Sequence, residues 1–165
     1  MSKKRFFTLI SDYCRLAGLD AADQIVQGAP VNVDGVLFAL KHDDTKDPGL
    51  VYVYCDLGPV PKENAREIYR TLLTTNMALH ATTNQAVMVS PATGRILLGR
   101  DFNLDTTTAK QFDEALGAMA DVALQWRGEK SIAIDTHVAT VKKSRPASER
   151  MHFMRNLVKE VPAQL

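Results

Sequence analysis

The sequence predicts an α+β fold, an antiparallel five-stranded sheet with three helices in the order α-β-β-β-α-β-β-α. Three observations predict it. Apolar residues recur at helical spacing in three separated stretches, and between those stretches the apolar period drops to two. Turns of hairpin length join most of the strand-like runs, where a parallel sheet would need long crossovers. With 165 residues, 45% of them apolar and 24% charged, the chain has the size of one ordinary domain and a globular composition.

The first helix is expected over residues 3–17, where Phe6, Leu9, Ile10, Tyr13, Leu16 and Ala17 share a face, Ser2 serves as N-cap and Gly18 stands at the usual stop position. From Gln24 the period becomes two, with Ile25-Val26, then Val31 and Val33, an Asp34-Gly35 pair, and the run Val36-Leu37-Phe38-Ala39-Leu40. Asp-Gly between apolar runs signals a hairpin, because both residues tolerate the positive φ of a type I′ turn. The polar stretch His42 to Gly49 reads as a loop, and Leu50 to Leu57 as a third strand rich in Val and Tyr.

Gly58-Pro59-Val60-Pro61 stops that strand, and Pro61 suits the first turn of a helix running from about Lys62 to Leu79. Its apolar face, Ala65, Ile68, Tyr69, Leu72, Leu73 and Met77, is wider than packing on one small sheet requires. Thr83 to Val89 and Arg95 to Gly99 form a further hairpin around Ser90-Pro91-Ala92-Thr93-Gly94. Thr108 and Gln111 then make a capping box ahead of Phe112, Leu116, Met119, Ala120, Ala123 and Trp126, with Gly128 as the stop. Residues 1–128 therefore read as the domain and 129–165 as a basic C-terminal extension. Within the extension, residues 131–141 have a weak β pattern and residues 148–161 the pattern of a short helix.

Charge is unevenly placed. The net value is +1, yet the first 130 residues sum to −2 and the remainder to +3. A nearly neutral body lacks the clustered basic face that binding to nucleic acid phosphates demands. The basic start resembles the opening of a signal peptide, but Ser11 and Asp12 interrupt its apolar run, so no export signal is expected. No stretch approaches the roughly 20 apolar residues of a membrane span. Cys14 and Cys55 are too few for a secreted disulfide scaffold and read as buried thiols in a reducing cytoplasm.

Motifs for chemistry are sparse. His42 beside Asp43 and Asp44 is the one constellation that suggests a metal-dependent enzyme, against the simpler reading of a solvated hairpin loop. His80, His137 and His152 lie in other segments without the i, i+4 pairing of a zinc helix. The chain has neither a G-x-S-x-G elbow nor a glycine-rich phosphate loop. A regulatory adaptor acting through Lys142, Lys143, Arg145 and Arg150 is a further alternative, and no cofactor is expected.

From about residue 3 to 127 the chain resembles the CesT-type class I chaperones of type III secretion. The resemblance rests on Asp56-Leu57-Gly58-Pro59-Val60-Pro61, similar to that family's entry to its middle helix, and on Leu72-Leu73-Thr74-Thr75-Asn76, similar to its LL-x-x-N signature. Gln85-Ala86-Val87-Met88-Val89, Thr93-Gly94-Arg95-Ile96-Leu97-Leu98 and a last helix ending near Trp126 follow in the family's order. The resemblance implies a non-enzymatic cytoplasmic homodimer that binds the N-terminal region of an effector, keeps it partly unfolded and delivers it to the secretion apparatus. It implies a dimer interface on Ile68, Tyr69, Leu72, Leu73 and Met77, and effector contacts on Phe6, Ile10, Val36, Phe38, Leu40 and Val53. The implied partners are a second copy, effector proteins and the secretion ATPase, without nucleic acid and without membrane insertion. The chain departs from the family pattern in its basic appendage.

Overall fold

The computed structural model describes residues 2–129. Helix α1 (Ser2–Ala17) turns Phe6, Leu9, Ile10, Tyr13 and Cys14 inward, as their spacing requires. Its C-terminal Gly18, at φ 68°, supplies the left-handed residue that lets the chain turn back. A short helix α2 (Ala22–Val26) leads into β1 (Val31–Val33) and β2 (Val36–Lys41). Asp34 and Gly35, at φ 51° and 80°, close that hairpin as a type I′ turn, and the Asn32 side chain accepts the Gly35 N–H at 3.0 Å.

Strand β3 (Leu50–Pro59) pairs with β2 on one side and β5 (Arg95–Asn103) on the other; helix α3 (Ala65–Thr83), β4 (Gln85–Val89) and helix α4 (Ala109–Glu129) complete the described chain. All pairings are antiparallel, in the order β1-β2-β3-β5-β4. Strict alternation puts Val36, Phe38, Leu40, Val51, Val53, Cys55, Ile96 and Leu98 on one buried face. Helices α1 and α4 cover that face, and α4 contributes Phe112, Leu116, Met119, Ala120, Ala123 and Trp126 to the core. Phe112 meets Tyr13 and Phe102 edge-on at centroid distances of 5.4 and 5.0 Å, a preferred geometry for aromatic quadrupoles.

The predicted architecture is present with one more helix than expected. Ile25 and Val26 lie in α2 and not at the start of a strand, because Ala21, Ala22 and Asp23 allow a turn of helix that buries Ile25 before Gly28 (φ 105°) redirects the chain. The middle helix starts and ends later than predicted, stopping at Asn84, which adopts the left-handed conformation at φ 54°. Strand β5 continues four residues past Gly99 because β3 is long enough to pair with it as far as Asn103. The capping box forms as expected, with the Thr108 N–H donated to Gln111 Oε1 at 2.9 Å and the Gln111 N–H to Thr108 Oγ1 at 3.3 Å. Gly128 lies inside α4 and does not end it. The expected elements at 131–141 and 148–161, and the basic side chains Lys142, Lys143, Arg145 and Arg150, lie outside the described residues.

Candidate functional site

The two outer strands of the sheet meet solvent differently. At one edge α3 lies along β4, burying Leu72, Thr75 and Leu79. The Asn76 carboxamide donates to the Val87 carbonyl at 2.8 Å and accepts the Val87 N–H at 2.5 Å. A side chain thus takes the place of a neighbouring strand and closes an edge that would otherwise invite aggregation. The opposite side of α3 carries Tyr69, Leu73 and Met77, the last two 72% and 81% exposed. Solvated apolar residues in such a row cost free energy unless another surface covers them.

Among the described residues the other edge is open. Val33 and Val36 flank the type I′ turn and exchange backbone bonds, so by alternation Phe38 and Leu40 also direct their N–H and C=O groups toward the β1 side. Phe38 has Val31 opposite it. Continuing that register would put Ala29 opposite Leu40, but the Ala29 N–H is spent on the Gln24 carbonyl at 2.9 Å, at the end of α2. Among the described residues Leu40 therefore has no strand beside it on that side.

An open groove of about 670 Å³ occupies this position. Phe6, Val26 and Leu40 form its apolar floor, and Lys3, Lys41, Tyr52, Tyr54 and the 42–47 loop rise around it. His42 Nδ1 is 2.8 Å from the Leu50 carbonyl, which can only accept, so Nδ1 carries the proton; the ring packs on Phe6 at 5.1 Å. Asp43 accepts from the Thr45 N–H and hydroxyl and the Lys46 N–H, at 3.0, 2.6 and 3.2 Å, and these bonds hold its carboxyl below the usual range. Asp44 pairs with Lys3 at 3.4 Å. His42, Asp43 and Asp44 are thus occupied in shaping a loop. Among the described residues no group of three or more His, Cys, Asp and Glu side chains is placed to hold a metal ion.

The six residues expected to touch a client are placed in the core: Phe6, Ile10, Val36, Phe38, Leu40 and Val53 are all buried. Of these, Phe6 and Leu40 also line the groove. On the middle helix Leu72 faces inward and Ile68 is half-buried, while Tyr69, Leu73 and Met77 face outward. Sequence reasoning did not single out Lys41, Tyr52 and Tyr54. Their signal was the same alternation that buries Leu40, Val51 and Val53, read for the opposite face.

This order of strands and helices is not peculiar to this chain. Solved structures share it: a chain of the ExsC-ExsE complex aligns with a TM-score of 0.64 at 19% identity, over 80% of this chain and 98% of that one. A chain of the HopA1-SchA chaperone-effector complex gives 0.60 at 12% identity, over 78% and 97%. One from the heterodimeric ExoU-SpcU complex of the type III secretion system of Pseudomonas aeruginosa gives 0.50 at 13%, over 63% and 84%. The chain belongs to the Tir chaperone protein (CesT) family, whose model matches residues 31–127, more than half of its length. Comparison with curated proteins returns no match. Among the described residues no helix is long and apolar enough to cross a membrane.

Proposed function

We propose that this type III secretion chaperone acts in the cytoplasm as a homodimer that binds the N-terminal region of an effector, holds it extended, and passes it to the secretion apparatus and its ATPase. The carrying observation is the vacant line beside Leu40 above an apolar groove, together with membership of the chaperone family. An extended polypeptide satisfies such an edge through its own backbone, while alternate side chains enter the groove, so affinity comes with loose sequence demands. Phe6 and Leu40 contact the client directly in this reading, and Ile10, Val36, Phe38 and Val53 form the wall that supports them. No step of this task requires bond-breaking chemistry, and the chain is read as a non-enzyme without a cofactor.

The second copy is assigned to the outer side of α3, with Tyr69, Leu73 and Met77 at the contact and Ile68 and Leu72 behind them. Residues 1–128 are taken as the chaperone unit and 129–165 as an extension to it. The test is co-expression with a secreted protein encoded in an adjacent reading frame. The secreted protein is expected to become soluble and to copurify, and to lose both properties when its own N-terminal segment is deleted. Copurification that survives that deletion would overturn the assignment of the client segment.

A further inference from the structure

Resting on that reading, we propose that the position beside β2 selects a client step in which an apolar residue is flanked by an acidic one, through Lys41. The register dictates the geometry. A strand added antiparallel to β2 at the vacant line places one residue directly opposite Leu40, exchanging two backbone hydrogen bonds with it. Directly opposed residues project to the same face, so that side chain enters the groove against Leu40, Phe6 and Val26. Its neighbour in the client then stands directly opposite Lys41 and projects to the other face, with Cβ atoms about 4.5–5.5 Å apart in such a pair.

The groove's charges decide what that neighbour should be. Lys3 is paired with Asp44. Asp43 is held by Thr45 and the Lys46 N–H, with the Lys46 charge near it. Asp47 accepts the Tyr52 hydroxyl at 2.8 Å, and Tyr52 is the residue opposite Lys41 on the β3 side. Tyr54 lines the same wall one pair further on, opposite Ala39. His42 is tied to Leu50. Lys41, exposed on β2, has no carboxylate of the described residues within 4.0 Å. Every acidic group of the groove is thus engaged by the protein itself, whereas the ammonium beside the vacant line has no ion-pair partner among the described residues. A client carboxylate there completes a cross-strand ion pair, and a client lysine meets a like charge. The site therefore favours an extended segment in which an acidic residue directly precedes the apolar one, because antiparallel addition puts the preceding residue opposite Lys41 and the following one opposite Ala39.

The test uses the full chain and two peptides that differ only in charge, acetyl-Ser-Thr-Glu-Leu-Glu-Thr-Ser-amide and the same peptide with both Glu replaced by Lys. Amide chemical shifts of isotope-labelled protein, read at Leu40 and Lys41, give a dissociation constant for each. The Glu peptide is expected to bind roughly fivefold tighter at low ionic strength, the difference shrinking as salt is added. Lys41→Glu should reverse the order, whereas Lys62→Glu, far from the groove, should leave it unchanged. Equal binding of both peptides, indifferent to Lys41→Glu, would overturn the charge selection while leaving the groove as a client seat. Binding of neither peptide, with the Leu40 amide unmoved, would remove both the selection and this groove's role in the proposed function.

Discussion

Asp56 does more for the structure than its surface position suggests. Its carboxylate receives Arg95 Nε at 2.9 Å and Nη2 at 2.5 Å, and the Gly58 N–H at 2.8 Å across the bulge of β3. Its carbonyl accepts Arg127 Nη2 at 2.7 Å, fastening the end of α4 to the sheet. Burial alone would push the Asp56 carboxyl up, but the bonds from Arg95 and Gly58, with the charges of Arg95 and Arg127, outweigh it and leave it below its ordinary value. A carboxyl depressed in the folded state stabilises the fold above its unfolded pKa of about 3.9, and that contribution disappears as pH falls through the folded value. Asp56→Asn is therefore expected to cost about 1 kcal/mol at neutral pH, discounted because Arg95 is partly solvated, and to flatten the fall in stability below about pH 4. Urea denaturation of both proteins across that range checks it. Cys55 is a second case, its thiol pushed up to about 12 chiefly by burial, while burial also raises Cys14. Neither is expected to react with iodoacetamide at pH 8 until denaturant is added, and mass spectrometry of the treated protein reads this directly.

At the scale of elements, the instructive one is α3. Its last two turns are held to β4 by Asn76, whose two bonds satisfy one residue's N–H and C=O. Asn76→Ala leaves both backbone groups without that partner, at an expected cost of about 1–3 kcal/mol, and should speed hydrogen exchange at the Val87 amide more than at amides of β3. Periodicity alone found α3 but gave it a face too broad to divide, since Leu72 and Leu73 are adjacent and only the position of β4 makes one inward and the other outward. The Asp34-Gly35 turn and the Thr108–Gln111 capping box were legible because each is a local motif whose chemistry is complete within a few residues. Helix α2 was not legible, being one short turn whose apolar pair Ile25-Val26 fits either period. Periodicity put Ile10, Val36, Phe38 and Val53 on apolar faces, but that the subunit's own helices cover those faces was out of reach, because it depends on α1 and α4, from opposite ends of the domain, packing together over one sheet face.

For the molecule as a whole, the row Tyr69, Leu73 and Met77 is the feature that a lone subunit does not explain. Residues that pack within the subunit lose exposure; Leu73 and Met77 retain 72% and 81% of theirs. Their removal should then separate association from folding, which a substitution at Leu72 cannot do, because Leu72 is itself core. The double variant Leu73→Asp/Met77→Asp is expected to convert the proposed dimer to a monomer in analytical ultracentrifugation, because each aspartate would have to be desolvated against an apolar neighbour. Urea denaturation of the resulting monomer should show intrinsic stability within about 0.5 kcal/mol per substitution of the wild-type subunit, as for other surface changes. Wild-type stability must be compared at concentrations low enough to remove the contribution of association, since a partner that binds only the folded subunit raises apparent stability by mass action. A variant that remains dimeric would place the second copy elsewhere, and one that unfolds outright would show that α3 cannot stand without its partner. A folded monomer is the outcome this arrangement requires, because α3 already has its inward contacts in Leu72, Thr75, Asn76 and Leu79.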